Sequence, residues 1–221
     1  MNLETISWQK NKIKIIDQSK LPFKLEYLYI RDIVTLYRAI RRMCIRGAPA
    51  LGAAAGLGVY LGIKDFRGNN LEDFKRKVKE ISHYISSSRP TARNLFWGIE
   101  RVNSVILKNR SKDISNLKEL IFWEALSIIK EDKKSCDRIG RYGSVFIQNN
   151  DGVLTICNAG LLATCGLGTA LNVLYQAKKE GKNFKVYASE TRPLLQGSRL
   201  TAWELKKNRM DFNIICDNTA G

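Results

Sequence analysis

Apolar residues recur along this chain in two different rhythms. From Asp32 to Met43 they fall at Ile33, Leu36, Tyr37, Ile40 and Met43, the spacing that lines one face of a helix. Leu71 to Ser86, Arg93 to Leu107 and Leu117 to Gly140 repeat that spacing and predict three more amphipathic helices. Ahead of them, Ile6 to Asp17 alternates loosely, with Ile13 and Ile15 on one side. That alternation predicts a small sheet or hairpin, broken at Leu21-Pro22. Gly47 to Gly62 follows neither rhythm. It is built almost wholly of small and apolar residues, and its glycines at 52, 56, 58 and 62 would let a neighbouring backbone come close.

The rhythm changes near Gly143. Val153 to Ile156 is a short apolar run, followed by the Gly-rich stretch Asn158 to Gly168. A helical pattern over Thr169 to Lys179 closes at Gly181. A second apolar run, Phe184 to Ala188, leads to a second helical pattern, Ser198 to Asn208, and a third run covers Phe212 to Cys216. Strand, helix, strand, helix, strand is the unit of a doubly wound parallel sheet. The expected class is therefore α/β. A mostly helical N-terminal domain with a small sheet (1–142) is followed by the first half of a Rossmann-like parallel-sheet domain (143–221), incomplete at its C-terminal end.

Composition narrows the function. Of 221 residues, 44% are hydrophobic and 26% charged, which excludes a disordered chain or a small disulfide scaffold. Two long charge-free stretches, Gly47 to Ile63 and Gly152 to Ala177, are too interrupted by glycine and polar residues to read as membrane spans. The start of the chain lacks the basic and apolar regions of a signal peptide. Five cysteines without CxxC spacing, and a single histidine, exclude a recognisable zinc site and fit reduced thiols in the cytoplasm. The net charge of +16 raises the question of nucleic acid. Its cations are spread along helical patterns instead of clustered, so a small anionic substrate is the better expectation.

In open parallel sheets ligands gather at the carboxyl ends of the strands. Three segments lie there: Cys157-Asn158-Ala159-Gly160, Glu190-Thr191-Arg192-Pro193 and Asp217-Asn218-Thr219-Ala220-Gly221. A thiol beside cations or helix N-termini can act as base or nucleophile, and a carboxyl can act as acid if its surroundings keep it protonated. Each has a plainer reading: Cys157 as a buried inert thiol, Asp217 as a loop residue capping the strand end. Cys44, Cys136, Cys165 and Cys216 read as core residues, and His83 as a surface residue. Arg46-Gly47-Ala48-Pro49-Ala50 and Ser88-Arg89-Pro90-Thr91-Ala92 share a form, an arginine ahead of a turn into a helix. Free N–H groups and a guanidinium there suit a phosphate, while the plainer reading is a surface arginine at a cap. Gln196-Gly197 adds a polar group at another helix start. Gly166-Leu167-Gly168 imitates a dinucleotide fingerprint, but its glycines fall late and Leu171 occupies the third position.

Together these motifs resemble a known family. Ile45 to Ala50, Arg89 to Trp97, Cys157 to Gly160, Glu190 to Ala202 and Asp217-Asn218, with Ile16-Asp17-Gln18 and Leu21-Pro22 near the start, are similar in order to the 5-methylthioribose-1-phosphate isomerase family. The resemblance implies aldose–ketose isomerisation of that sugar phosphate in methionine salvage. Cys157 would be the base at C2 and Asp217 the acid–base partner at the ring oxygen. Arg46, Gly47, Ala48, Arg89 and Gln196 would bind the substrate. It implies no metal and no cofactor, because the substrate carries its own reacting hydrogen, and a homodimer when full length. Ile156, Ser189 and Thr219 depart from the family pattern, which has His, Asp and Met there.

The family's chains also continue beyond the Asp217-Asn218 turn. The 221 residues are therefore expected to be a fragment, poorly soluble and inactive alone, because a central parallel strand would lack its neighbour. Two related functions remain open beside the isomerase, a ribose-1,5-bisphosphate isomerase and a non-catalytic regulatory subunit of an initiation-factor complex. The pocket near Trp97 is expected to help separate the first pair.

Overall fold

The structure is a computed structural model that describes residues 3–109 and 113–220. Met1, Asn2 and Gly221, the last residue of the segment Asp217-Asn218-Thr219-Ala220-Gly221, lie outside the described residues.

Strands β1 (Ile6–Gln9) and β2 (Lys12–Ile16) form the expected hairpin. Its turn, Lys10-Asn11, has positive φ at both residues, which matches the twist of a two-residue hairpin. A third strand, β3 (Tyr27–Ile30), pairs antiparallel with β2. The pattern missed it because its four residues are all apolar and show no alternation.

Helices α1 (Ile33–Arg41), α3 (Leu71–Ser86), α4 (Arg93–Lys108) and α5 (Ile114–Gly143) follow the helical spacing, α5 reaching further at both ends than its pattern. They surround α2 (Ala48–Ile63), which is buried on nearly every side, as a helix apolar all round must be. The close backbone approach expected of its glycines occurs at one position. A Cβ on Gly98 of α4 would stand 2.2 Å from the Gly52 carbonyl oxygen. Gly56, Gly58 and Gly62 instead receive side chains, among them Ile128, Leu36 and Ile81.

The second half is the predicted alternation: β4 (Gly152–Thr155), α6 (Ala170–Lys179), β5 (Lys185–Ser189), α7 (Ala202–Lys207) and β6 (Phe212–Ile215). The strands run parallel in the order β4-β5-β6. The chain is thus α/β, a helical N-terminal part followed by a parallel sheet. Ahead of α7, Gly197–Thr201 winds as a π-helical turn, a departure from the regular helix expected from Ser198. Gly197 is pressed so tightly onto the Ser189 carbonyl that a Cβ would lie 1.6 Å from its oxygen.

A core of Leu171, Leu174, Val186, Ala188 and Leu205 packs α6 and α7 on the sheet. The outer strands carry exposed apolar residues, Leu154 and Ile156 at β4 and Ile214 in β6. A third cluster joins the halves, with Ile16 and Leu21 packed on Leu161, Leu162, Leu200 and Trp203. Buried bonds from Thr5 Oγ1 to the Leu161 carbonyl (2.6 Å) and from Gln18 Nε2 to the Leu162 carbonyl (2.7 Å) seat the N-terminal sheet on the loop after β4. Among the described residues no helix is long and apolar enough to cross a membrane.

Candidate active site

Helices α2 and α4 begin side by side at a cavity of about 380 Å³ lined by Arg46, Gly47, Ala48, Arg89, Arg93 and Gln196, among others. Helices α1, α3 and α5 have side-chain N-caps in Asp32, Asn70 and Asp113. The two helices at the cavity start from Gly47 and Ala92 with no side-chain cap. Pro49 has no N–H and the Leu95 N–H bonds the Ala92 carbonyl (2.9 Å), so the first-turn N–H groups without a capping side chain are those of Ala48 and Ala50 in α2 and of Arg93 and Asn94 in α4. Uncapped N–H groups beside arginines make a phosphate site. Gly47 is required at its position: its φ is +91°, and a Cβ there would fall 2.4 Å from the Ala163 backbone. The sequence readings of Arg46, Gly47, Ala48, Arg89 and Gln196 thus converge in one place. Met43, Leu51 and Leu194 supply apolar lining.

Arg46 joins this cavity to the loop after β4. Its Nη1 donates to Asn158 Oδ1 (2.6 Å) and its Nη2 to the Asn158 carbonyl (3.0 Å). Burial lowers its pKa; neighbouring Cys157 and Glu204 oppose that shift, and Arg89 adds to it. Cys157, the residue before Asn158, is half-buried with φ +61°, a conformation costly for a non-glycine residue and held only by its surroundings. Those surroundings are specific. The Cys157 N–H donates to Thr191 Oγ1 (2.8 Å), and its carbonyl accepts from Thr201 Oγ1 (2.6 Å). The thiol is neither fully buried nor on open surface, unlike the inert buried cysteine of the plainer reading.

Asp217 stands one residue away in this network. Its carboxylate accepts from the Ser189 hydroxyl, from Thr191 N (2.8 Å) and from Arg192 N (2.8 Å). The Ser189 hydroxyl first, then the two backbone donors, hold its pKa below the ordinary carboxylate value. Three donors point at the group and favour its ionised form in this arrangement. What it does is fix the turn whose Thr191 receives the Cys157 N–H.

Two expectations are corrected. Cys216, the residue after β6, is exposed among the described residues, whereas Cys44, Cys136 and Cys165 are buried. Trp97 does not line the cavity; its ring packs against Gly52 and lies 5.5 Å from the Arg101 guanidinium. Gly166-Leu167-Gly168 serves a fold role, with Gly168 at φ +99° bridged to Gly160. Sequence reasoning gave no role to Asn158, Thr201 or Glu204. Glu204 did carry a signal: it is a lone carboxylate within the apolar run Leu200, Ala202, Trp203, Leu205.

The Initiation factor 2 subunit family matches residues 44–221. The chain belongs to that family. It is 45% identical over its full length to the methylthioribose-1-phosphate isomerase of Geobacter sp. (strain M21), covering 64% of that protein. It is 43% identical over 215 residues to the 5-deoxyribose 1-phosphate isomerase of Moorella thermoacetica, 97% of this chain and 61% of that one. Among solved structures, the 5-methylthioribose 1-phosphate isomerase of Pyrococcus horikoshii OT3 matches the whole chain with a TM-score of 0.92 at 33% identity, over 62% of its own length. A structure titled translation initiation factor eIF-2B, subunit delta, from A. fulgidus matches it with a TM-score of 0.87 at 42% identity, over 64%. The chain thus spans less than two thirds of the length of these relatives.

Proposed function

We propose that the protein isomerises 5-methylthioribose 1-phosphate to 5-methylthioribulose 1-phosphate in methionine salvage. The observation that carries this reading is the placement of Cys157 on a loop clamped by Arg46, while Arg46 lines a cavity at two uncapped helix starts. The names of the isomerase relatives support it.

In this reading Arg46, Arg89 and Gln196, with the N–H groups of the α2 and α4 first turns, bind the phosphate and sugar oxygens. The reaction opens the ring by protonation of its oxygen and moves a hydrogen from C2 to C1. Cys157 is the base at C2, and C1 receives the hydrogen. Asp217 is the acid–base partner: it gives the ring oxygen its proton as the C1–O bond breaks and takes up the C2 hydroxyl proton as the ketone forms, and at rest it orders the Thr191 turn under Cys157. The apolar lining from Met43, Leu51 and Leu194 suits an uncharged 5-substituent, as in methylthioribose, better than the second phosphate of a ribose bisphosphate. The enzyme is proposed to work in the cytoplasm as a homodimer on a free sugar phosphate, without metal, organic cofactor or nucleic acid.

A second reading, a non-catalytic initiation-factor subunit, draws on the A. fulgidus match. A thiol held beside the arginine cavity favours the enzyme.

Phosphorus NMR on a protein of the relatives' full length tests the proposal. Isomerisation turns an anomeric phosphate signal into one of a primary-alcohol ester of a ketose. Cys157→Ser is expected to abolish that conversion while inorganic phosphate binding stays within about two-fold. Conversion by Cys157→Ser at the unsubstituted rate would contradict it.

A further inference from the structure

Glu204 is a fully buried carboxylate that the chemistry above does not use. Its Oε1 accepts from Asn158 Nδ2 (2.8 Å) and Leu162 N (3.1 Å), and its Oε2 from Leu161 N (2.7 Å) and Tyr175 Oη (3.2 Å). The loop is wrapped onto it so closely that a Cβ on Gly160 would fall 2.2 Å from Oε2. Asn158 stands between two charges, donating to Glu204 and accepting from Arg46 Nη1 at 2.6 Å. Three residues before Glu204, Thr201 Oγ1 donates to the Cys157 carbonyl (2.6 Å) and accepts from Asn158 Nδ2 (3.3 Å).

A buried carboxylate is costly to keep. Packing alone does not account for it, since α6 and α7 already meet the sheet through apolar residues. The cost is offset at one place, where four donors from the reacting loop and α6 end on it. An apolar residue there would leave two backbone N–H groups buried without partners.

We infer that Thr201 and Glu204, on successive turns leading into α7, are positioning residues that hold the Cys157–Asn158 loop, and through Asn158 the Arg46 guanidinium, in the geometry the isomerisation needs. Thr191 and Asp217 hold the same loop from its other side. The inference rests on the isomerase reading only for its kinetic test.

That test compares Glu204→Gln with the unsubstituted protein on 5-methylthioribose 1-phosphate and, separately, by amide hydrogen exchange. Glutamine has one acceptor oxygen, and its NH₂ would face donors. The expected result is a kcat loss of about ten-fold or more with KM within about three-fold. Exchange should quicken about ten-fold at Leu161, Leu162 and also at Cys157. Should Glu204→Gln not fold, Thr201→Val, nearly isosteric, is expected to give the same kcat loss and faster Cys157 exchange, with Thr201→Ser restoring both. An unchanged kcat, a loss carried wholly in KM, or a Cys157 amide that stays protected while Leu161 and Leu162 open would overturn the inference. The kinetic arm uses a protein of the relatives' full length; if that protein binds phosphate but isomerises nothing, the isomerase reading fails, and the exchange result alone decides whether these residues hold the loop.

Discussion

At the scale of single residues, Asp217 has hydrogen-bond partners that side-chain type alone does not suggest. Read from the sequence, a carboxyl at a strand's carboxyl end is a plausible acid. In the structure it is an acceptor with three donors on it. No spacing rule reveals that, because the donors come from a turn more than twenty residues upstream that only the β5–β6 register brings alongside. The consequence is measurable. Asp217 has a folded pKa below its ordinary 3.8. Its contribution to stability is therefore present above the unfolded value and lost as pH falls through the folded one. Asp217→Asn should melt at a lower temperature than the unsubstituted protein at pH 7, and thermal scans should show the difference closing below about pH 4. A difference that persists unchanged at acid pH would mean that the charge is not what matters. Arg46, Arg89 and Cys157 were legible because each sits in a short turn motif whose chemistry is local. Glu204 was visible only as an oddity, since its donors are scattered over the β4 loop and α6.

At the scale of elements, helical spacing located α1, α3, α4 and α5, and the alternation of strand and helix located the parallel sheet. Elements governed by contact with something else were less legible. β3 is a strand because β2 offers it an edge, and the turn Gly197–Thr201 winds as a π-helix because Gly197 lies on the β5 carbonyl end. The glycines of α2 were read as a backbone contact surface, and the Gly52–Gly98 pair is where α2 and α4 meet in that way. This crossing sets the distance between the two helix starts at the cavity that we propose binds phosphate. Gly98→Ala would drive a methyl into the Gly52 carbonyl. It is expected to cost about 1–3 kcal/mol and to weaken phosphate binding, measured by denaturant unfolding and by titration with inorganic phosphate. Unaltered stability would show that the helices separate freely and that the crossing does not set the cavity.

At the scale of the whole molecule, the net charge of +16 does not by itself locate a site, whereas the cavity gathers Arg46, Arg89 and Arg93 in one place. We propose the division at 142/143 as the domain boundary, with the cluster of Ile16, Leu21, Leu161 and Trp203 as its seam. The exposed Leu154, Ile156 and Ile214 on the outer strands predict self-association of the 221-residue chain. Light scattering should detect it, and Ile156→Lys with Ile214→Lys should reduce it; a monodisperse monomer without those substitutions would contradict this.

The central claim is that the Cys157 thiol faces the sugar whose phosphate Arg46 and Arg89 hold. The most direct measurement is iodoacetamide alkylation of Cys157, followed by peptide mass spectrometry against exposed Cys216 as an internal reference, with and without 5-methylthioribose 1-phosphate. The account predicts that saturating sugar phosphate slows Cys157 about ten-fold or more while Cys216 is unaffected, and that Arg46→Ala removes the protection. A bound sugar phosphate that leaves Cys157 reacting at its free rate would contradict it.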